Sequence, residues 1–373
     1  MTHLGGIRTA PNPAVQRYRL PAPRPRAPLG GLGVPQLVCW QLALMVTVLA
    51  LRERWAVFAV VVFGAAILVL LASVRMRGHW LYEWLFLGAR YALRRFEHDL
   101  RDAGGSGRAL LRALSPEAVS LVHHVGEEPV FMLSRITGIT VVLRPETAGR
   151  ELAVPPPGLL LPPVQDVAFT AQVVHHAGIG PDRPLRSWLA LQARRTVDVY
   201  QDAEMRQALG NALRRVRRGL QRSGLRMETL PENEFFSALA SLAHVTAGRH
   251  HVREDWRLFY SGPVSQTTFQ LVGWAGVSPA VAPQLLHRLL TVTPYAAVTV
   301  AVSASRETGT EPEAGAALRI AAADPAALEH ATDVLTRVAG EWAVGLVRLD
   351  GRHGHGMVVT LPLGVPASEP FTG

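Results

Sequence analysis

Two uncharged apolar stretches, set three residues apart, constrain this chain more than any other feature. Val34–Leu51 (VPQLVCWQLALMVTVLAL) holds two glutamines and no charge, and Trp55–Val74 (WAVFAVVVFGAAILVLLASV) holds no charge at all. At the helical rise they extend about 27 Å and about 30 Å, the second matching one hydrocarbon thickness. Only Arg52-Glu53-Arg54 separates them, so the pattern predicts a transmembrane helical hairpin over 34–74. A cleaved signal peptide does not fit: the preceding tail is too long, no A-x-A site follows the first stretch, and a second span comes at once.

Arginine placement predicts the orientation. The segment before the first stretch carries Arg8, Arg17, Arg19, Arg24 and Arg26 without an acidic residue, and the segment after the second carries Arg75, Arg77, Arg90, Arg94 and Arg95. The positive-inside bias then places both termini in the cytosol of a two-pass protein of the inner (plasma) membrane. Residues 1–33, with prolines at 11, 13, 21, 23, 25 and 28, read as an extended, disordered Pro/Arg-rich cytosolic tail.

Residues 75–105 read as an amphipathic membrane-surface helix and a linker. Trp80, Leu81, Trp84, Leu85, Tyr91 and Ala92 recur at helical spacing, opposite Glu83, Arg90, Arg94, Glu97 and Arg101. Aromatics backed by arginine suit the headgroup boundary. Trp80, Trp84, Arg90, Arg94 and Arg95 are thus candidates for docking on anionic lipid or a neighbouring subunit; the alternative is that Trp80 and Trp84 anchor the end of the span or pack on the folded domain. Gly78 offers an elbow, and Ala103–Gly107 (AGGSG) a flexible break.

All 38 basic residues are arginine, the formal net charge is +9, and charged residues make up only 18%. Without lysine the chain cannot build a Walker A loop, a protein-kinase site or a Schiff base. The single cysteine, Cys39, rules out an intramolecular disulfide and a thiolate metal site.

From 106 to 373 apolar runs of strand length alternate with helical patterns, predicting a cytosolic mixed α/β (or α+β) domain. Strands are expected at 118–125, 130–133, 139–143, 166–175, 256–260, 267–274, 295–304, 317–322, 343–349 and 356–362. Helices are expected at 185–210, 211–224, 232–245, 278–290 and from Pro325, with Asp324 as N-cap, to Gly340. The order hints at two βαββαβ-type halves.

Catalytic patterns are sparse. His123-His124, His175-His176 and His250-His251 are adjacent pairs, and strand neighbours point to opposite faces. His353 and His355 read as a Gly-rich turn. Gly104–Arg108 (GGSGR) lacks the lysine and the preceding strand of a phosphate loop, and Glu97-His98-Asp99 reads as a solvated face. There is no Asp-x-Asp motif, nucleophile elbow or H-E-x-x-H. No catalytic, cofactor or metal site is therefore expected. The densest basic run comprises Arg214, Arg215, Arg217, Arg218, Arg222 and Arg226. Lacking aromatics for base stacking, it points away from nucleic acid and towards anionic lipid, an acidic partner or a solvated helix face.

The closely spaced apolar pair running into RGHWLYEW (77–84), RRVRRGLQRSGLRMETLPENEFFSAL (214–239), Trp256, TTFQLVGW (267–274), YAAVTVAVSA (295–304), ALRIAAA (317–323) and VRLDGRHGHGMVVTLPLGV (347–365) together resemble the EccE component of the type VII (ESX) secretion system. The resemblance runs from about Pro35 to Val365 and rests on order and local pattern. It implies a non-catalytic structural subunit at the periphery of an inner-membrane complex with EccB, EccD and the ATPase EccC. The competing readings are a membrane-tethered glycosyltransferase-like enzyme and an anchor that recruits a soluble cytosolic partner.

Overall fold

The computed structural model describes residues 34–76, 79–93, 97–101, 105–147, 149, 151–162, 167–180, 183–246, 249–306 and 310–367. The expected tail, Gly78, Arg94, Arg95 and residues 103 and 104 of the expected break lie outside them. The chain divides into two compact units, Met1–Leu87 and Gly88–Gly373.

In the first unit, helices α1 (Val34–Ala50) and α2 (Trp55–Ser73) form an antiparallel hairpin. Gln36 Nε2 donates to Ala72 O at 3.1 Å and Trp40 Nε1 to Ser73 Oγ at 3.0 Å, tying the start of one helix to the end of the other. Ala43, Ala50 and Ala72 are buried, and such small side chains let helices approach closely. The large apolar side chains point outward: Leu44, Val60 and Phe63 are 67%, 72% and 69% exposed. Of the two helices, α2 is long and apolar enough to cross a membrane, while α1 is an apolar helix of lesser length. After α2 come a two-residue ladder of β1 (Arg75–Met76) and β2 (His79–Trp80) and then α3 (Leu81–Leu93), which carries the chain into the second unit.

The second unit begins with β3 (Glu97–Asp99) and α4 (Ser106–Leu114). Strands β4 (Val119–Val125), β5 (Glu128–Arg135) and β6 (Gly138–Pro145) follow, then α5 (Pro157–Leu160), β7 (Phe169–Ala177), β8 (Leu185–Arg194), α6 (Asp202–Arg222), β9 (Met227–Thr229) and α7 (Glu232–Leu242). The series then repeats: β10 (His251–Glu254), β11 (Phe259–Ser261), β12 (Val264–Val272), α8 (Ala282–Thr291), β13 (Ala297–Arg306), β14 (Glu313–Ala322), α9 (Pro325–Gly340), β15 (Gly345–Arg348) and α10 (His353–Thr360).

All thirteen strands from β3 to β15 join one antiparallel sheet in the order β3-β10-β11-β12-β14-β13-β7-β8-β6-β5-β4, with β15 on β12 and β9 on β6. Each half is a split βαββαβ unit, strands ordered fourth, first, third, second, preceded by a hairpin strand pair. The halves meet where β7 pairs with its counterpart β13, Val173 opposite Val302. The repeat, which the sequence only hinted at because its first half reads as too irregular to claim one, is present in the topology, joined across one continuous sheet.

Helices cover both faces. Phe169, Ala171, Val173, Leu189 and Leu191 pack under α5 and α6, and Val298, Val300, Leu318 and Ile320 under α8 and α9. The opposite face carries α4, α7, α10 and residues 361–367, over a buried polar layer. Here the halves exchange terminal segments. Arg319 Nη2 donates to Leu242 O (2.9 Å), while Gln266 Nε2 and Ser261 Oγ donate to Ala243 O (3.0 and 2.8 Å), so the second half's strands hold the end of α7. Reciprocally, Arg135 Nη2 and Thr140 Oγ1 donate to Leu363 O (2.6 and 3.0 Å), and Gln172 Nε2 to Val359 O (2.6 Å). Arg135 and Ser261 each end a hairpin strand, and Thr140 and Gln266 are each third in the next. A buried arginine is tolerable here because carbonyls accept its protons.

Several expectations are corrected. Residues 185–194 form a strand rather than a helix; Trp188 and Ala190 are buried on one face and Leu189 and Leu191 on the other, so the apolar run loses its alternation. The two helices expected over 185–224 are the single α6. Residues 353–360 form a helix rather than a turn and strand, because Gly354 and Gly356 bring it against Glu254 and Thr268: a Cβ at Gly356 would lie 2.7 Å from Thr268 Cβ. The surface helix stops at Leu93, and Glu97–Asp99 pairs with β10 inside the sheet, within the 75–105 stretch read as helix and linker. Asp324 caps α9 as expected, its Oδ1 accepting from Ala326 N at 3.1 Å.

Candidate functional site

The long amphipathic helix α6 is the best-formed candidate. Met205, Leu209, Leu213, Val216 and Leu220 recur on one stripe and are buried against the sheet. Asp202 and Glu204 in the first turn and Arg222 in the last complement the helix dipole. The arginines of the predicted patch divide into two groups. Arg217 is half-buried and meets Glu128 Oε2 at 2.5 Å. Burial pushes the Glu128 carboxyl up, but its hydrogen bonds to Arg217 and Thr229 and the Arg217 charge together hold it below its usual value. Arg217 therefore pins α6 to the sheet.

Arg214, Arg215 and Arg218 are exposed, as is Arg222. Arg214 donates to Asn211 Oδ1 (2.7 Å), while Arg218 Nε and Arg222 Nε donate to the carbonyls one turn back, Arg214 O (3.2 Å) and Arg218 O (3.3 Å). Positions 214, 215, 218 and 222 share one side of the helix. Among the described residues no carboxylate pairs with them. They form a solvent-facing cationic strip suited to an acidic surface.

Of the aromatic and basic residues predicted to dock after the apolar hairpin, Trp80, Trp84 and Arg90 are among the described residues. Trp80 lies in β2, ahead of α3 rather than within it, and Trp84 is half-buried on α3. Arg90 lies on α3. Tyr91, from the same apolar stripe, packs edge-on against Trp256 with ring centroids 5.1 Å apart. Near its C-terminal end, then, α3 packs on the folded domain through Tyr91.

The paired histidines behave as strand neighbours. His175 and His176 face opposite ways, His175 Nδ1 lying 2.7 Å from Ser187 Oγ and His176 Nδ1 2.9 Å from Thr299 Oγ1. Burial pushes His175 down to about 4, and burial with nearby basic groups pushes His176 down to about 3. A His–Ser contact can activate a nucleophile, but both residues of this pair are buried, and burial holds the imidazole neutral. Among the described residues no group of three or more His, Cys, Asp or Glu is placed to hold a metal ion.

The sequence reading missed the buried arginines Arg135 and Arg319. Burial lowers them to about 10 and about 9. Their signal is visible afterwards in Arg319, a lone charge inside the apolar run ALRIAAA. No protein-family model matches the chain, and no curated protein matches it significantly.

Proposed function

We propose that this protein is a non-catalytic structural subunit of an inner-membrane type VII secretion complex, of the EccE kind, working beside EccB, EccD and the ATPase EccC. The observation that carries the membrane part is the outward-facing apolar surface of the α1–α2 hairpin. Side chains such as Leu44, Val60 and Phe63 have no protein cover, and a contiguous apolar surface of that size needs lipid or a partner. On this reading α1 crosses with α2, both termini lie in the cytosol, and the sheet domain braces the cytosolic side.

A bracing role is supported by how the domain uses its polar groups. Arg135, Arg319, Gln172 and Gln266 hold main-chain carbonyls, so the buried polar layer serves rigidity. The free cationic strip of α6 favours a further element of the same role: Arg214, Arg215, Arg218 and Arg222 contact an acidic subunit or anionic lipid. Detergent extraction from cells expressing the full gene cluster tests the assignment. The protein is expected to co-purify in a large assembly with an FtsK-like ATPase; recovery as a lone monomer overturns it.

A further inference from the structure

Beside the end of α7 lies a cavity of about 260 Å³ whose lining includes His176, His244, Arg183, Arg186 and Arg249, with Ser241 and Thr246 adding hydroxyls. No described lining residue is acidic. We propose that this cavity binds a phosphate group, either inorganic phosphate or the phosphate of a small monoester or lipid headgroup.

Three features point the same way. First, its basic groups are partly unspent. Arg183 is committed, donating to Gly178 O, Thr293 O, Ala296 O and Leu290 O, and this fixes its charge rigidly at the wall. Arg186 and Arg249 have no carboxylate partner among the described residues. Arginine forks match phosphate oxygens bidentately.

Second, the adjoining groove of about 520 Å³, which shares Arg186 and Ser241 with the cavity, is neutralised: there Arg144 meets Glu228 and Glu234, both at 2.5 Å. Among the described residues, positive charge is left uncompensated at the histidine end. Third, the described charged groups acting on His176 (His244, Arg319, Arg186 and Arg183) are basic, as are those acting on His244, namely Arg319 and Arg249. The two imidazoles lie 6.2 Å apart. A dianion there offsets a concentration of like charge that the fold otherwise bears unrelieved.

His244 sharpens the test. It occupies the left-handed region, φ 58°, just past the end of α7, with its N–H donating to Ser241 O at 3.1 Å. This is the position glycine prefers at a helix end. H244G thus removes the imidazole while easing the backbone.

The experiment is a titration of the full-length protein in neutral detergent with inorganic phosphate, followed by calorimetry and by histidine NMR. Saturable binding is expected, raising the titration midpoints of His176 and His244. R186Q/R249Q and H244G are expected to weaken binding tenfold or more, with melting temperatures in phosphate-free buffer equal to or above wild type. Nanodiscs with and without phosphatidic acid identify the source: competition by the anionic discs alone assigns a lipid headgroup, and its absence assigns a soluble phosphate. Unchanged phosphate affinity in both variants, or no saturable binding by the wild type, overturns the proposal.

Discussion

Four histidines are held neutral, three of them buried and His244 half-buried, each for a nameable reason. His175 sits between the sheet and the helices that cover it, His176 and His244 among arginines, and His353 at the start of α10, where its Nδ1 accepts from Thr268 N at 3.4 Å. Burial is the leading cause in all four, pushing His175, His244 and His353 down to about 4 and His176 to about 3, from 6.5. Below pH 6.5 the unfolded chain binds these protons and the native one does not, so stability is full above that value. It falls as pH drops towards 4, at up to about 1.4 kcal/mol per pH unit for each histidine. Thermal melting in detergent from pH 7.5 to 4.5 is expected to show this decline, with H353Q flattening it. A flat profile would contradict the burial of these rings. None of this was legible in the sequence, where His175-His176 announces a strand pair and His353 looked like part of a turn, because burial comes from other elements of the fold, Ser187 12 residues from His175, Thr268 85 from His353 and Thr299 123 from His176.

At the element scale, two glycines make opposite demands. In α4, a Cβ on Gly107 would lie 2.0 Å from Phe236 O, so α4 and α7 touch backbone to backbone. In α6, Gly219 has nothing within 4 Å of the same position. G107A is expected to destabilise by about 1–3 kcal/mol through overpacking. G219A is expected to stabilise by up to about 1 kcal/mol through helix propensity. Denaturant midpoints of the two variants check the pair. Elements with their own local code were readable beforehand: α2 from its uncharged run, α9 from Asp324 and Pro325, β13 and β14 from β-branched and alanine-rich runs between turn residues. Residues 185–194 and 353–360 were misread because both faces, or a close glycine contact, are set by tertiary packing rather than by periodicity.

At the scale of the whole molecule, the chain consists of an apolar hairpin and a duplicated sheet domain, and only the first was plain from sequence. The duplication shows in topology and in the exchange of terminal segments, while the halves keep different polar residues at matching places, serine for arginine at 261 and 135 and glutamine for threonine at 266 and 140. Residue-by-residue comparison therefore hides it. The cationic strip was found by its density of arginine, although Arg217 proved to belong to the domain's own packing. Reversal of the exposed four (R214E, R215E, R218E, R222E) is expected to leave the melting temperature within a few degrees and, on the proposed function, to release the protein from the secretion complex at moderate salt. Retention comparable to wild type in a salt-graded pull-down would remove the strip from the interface.

The strand β3 has a mechanical consequence. The chain coming from the apolar hairpin enters the sheet there, through three residue pairs with β10 and an exposed Glu97–His251 contact at 2.5 Å. The central β7–β13 seam, by contrast, has nine pairs. A backbone pull arriving through α3 meets the Tyr91–Trp256 contact and then this short seam. Three pairs are expected to part before nine, lengthening the connection while the duplicated body stays folded.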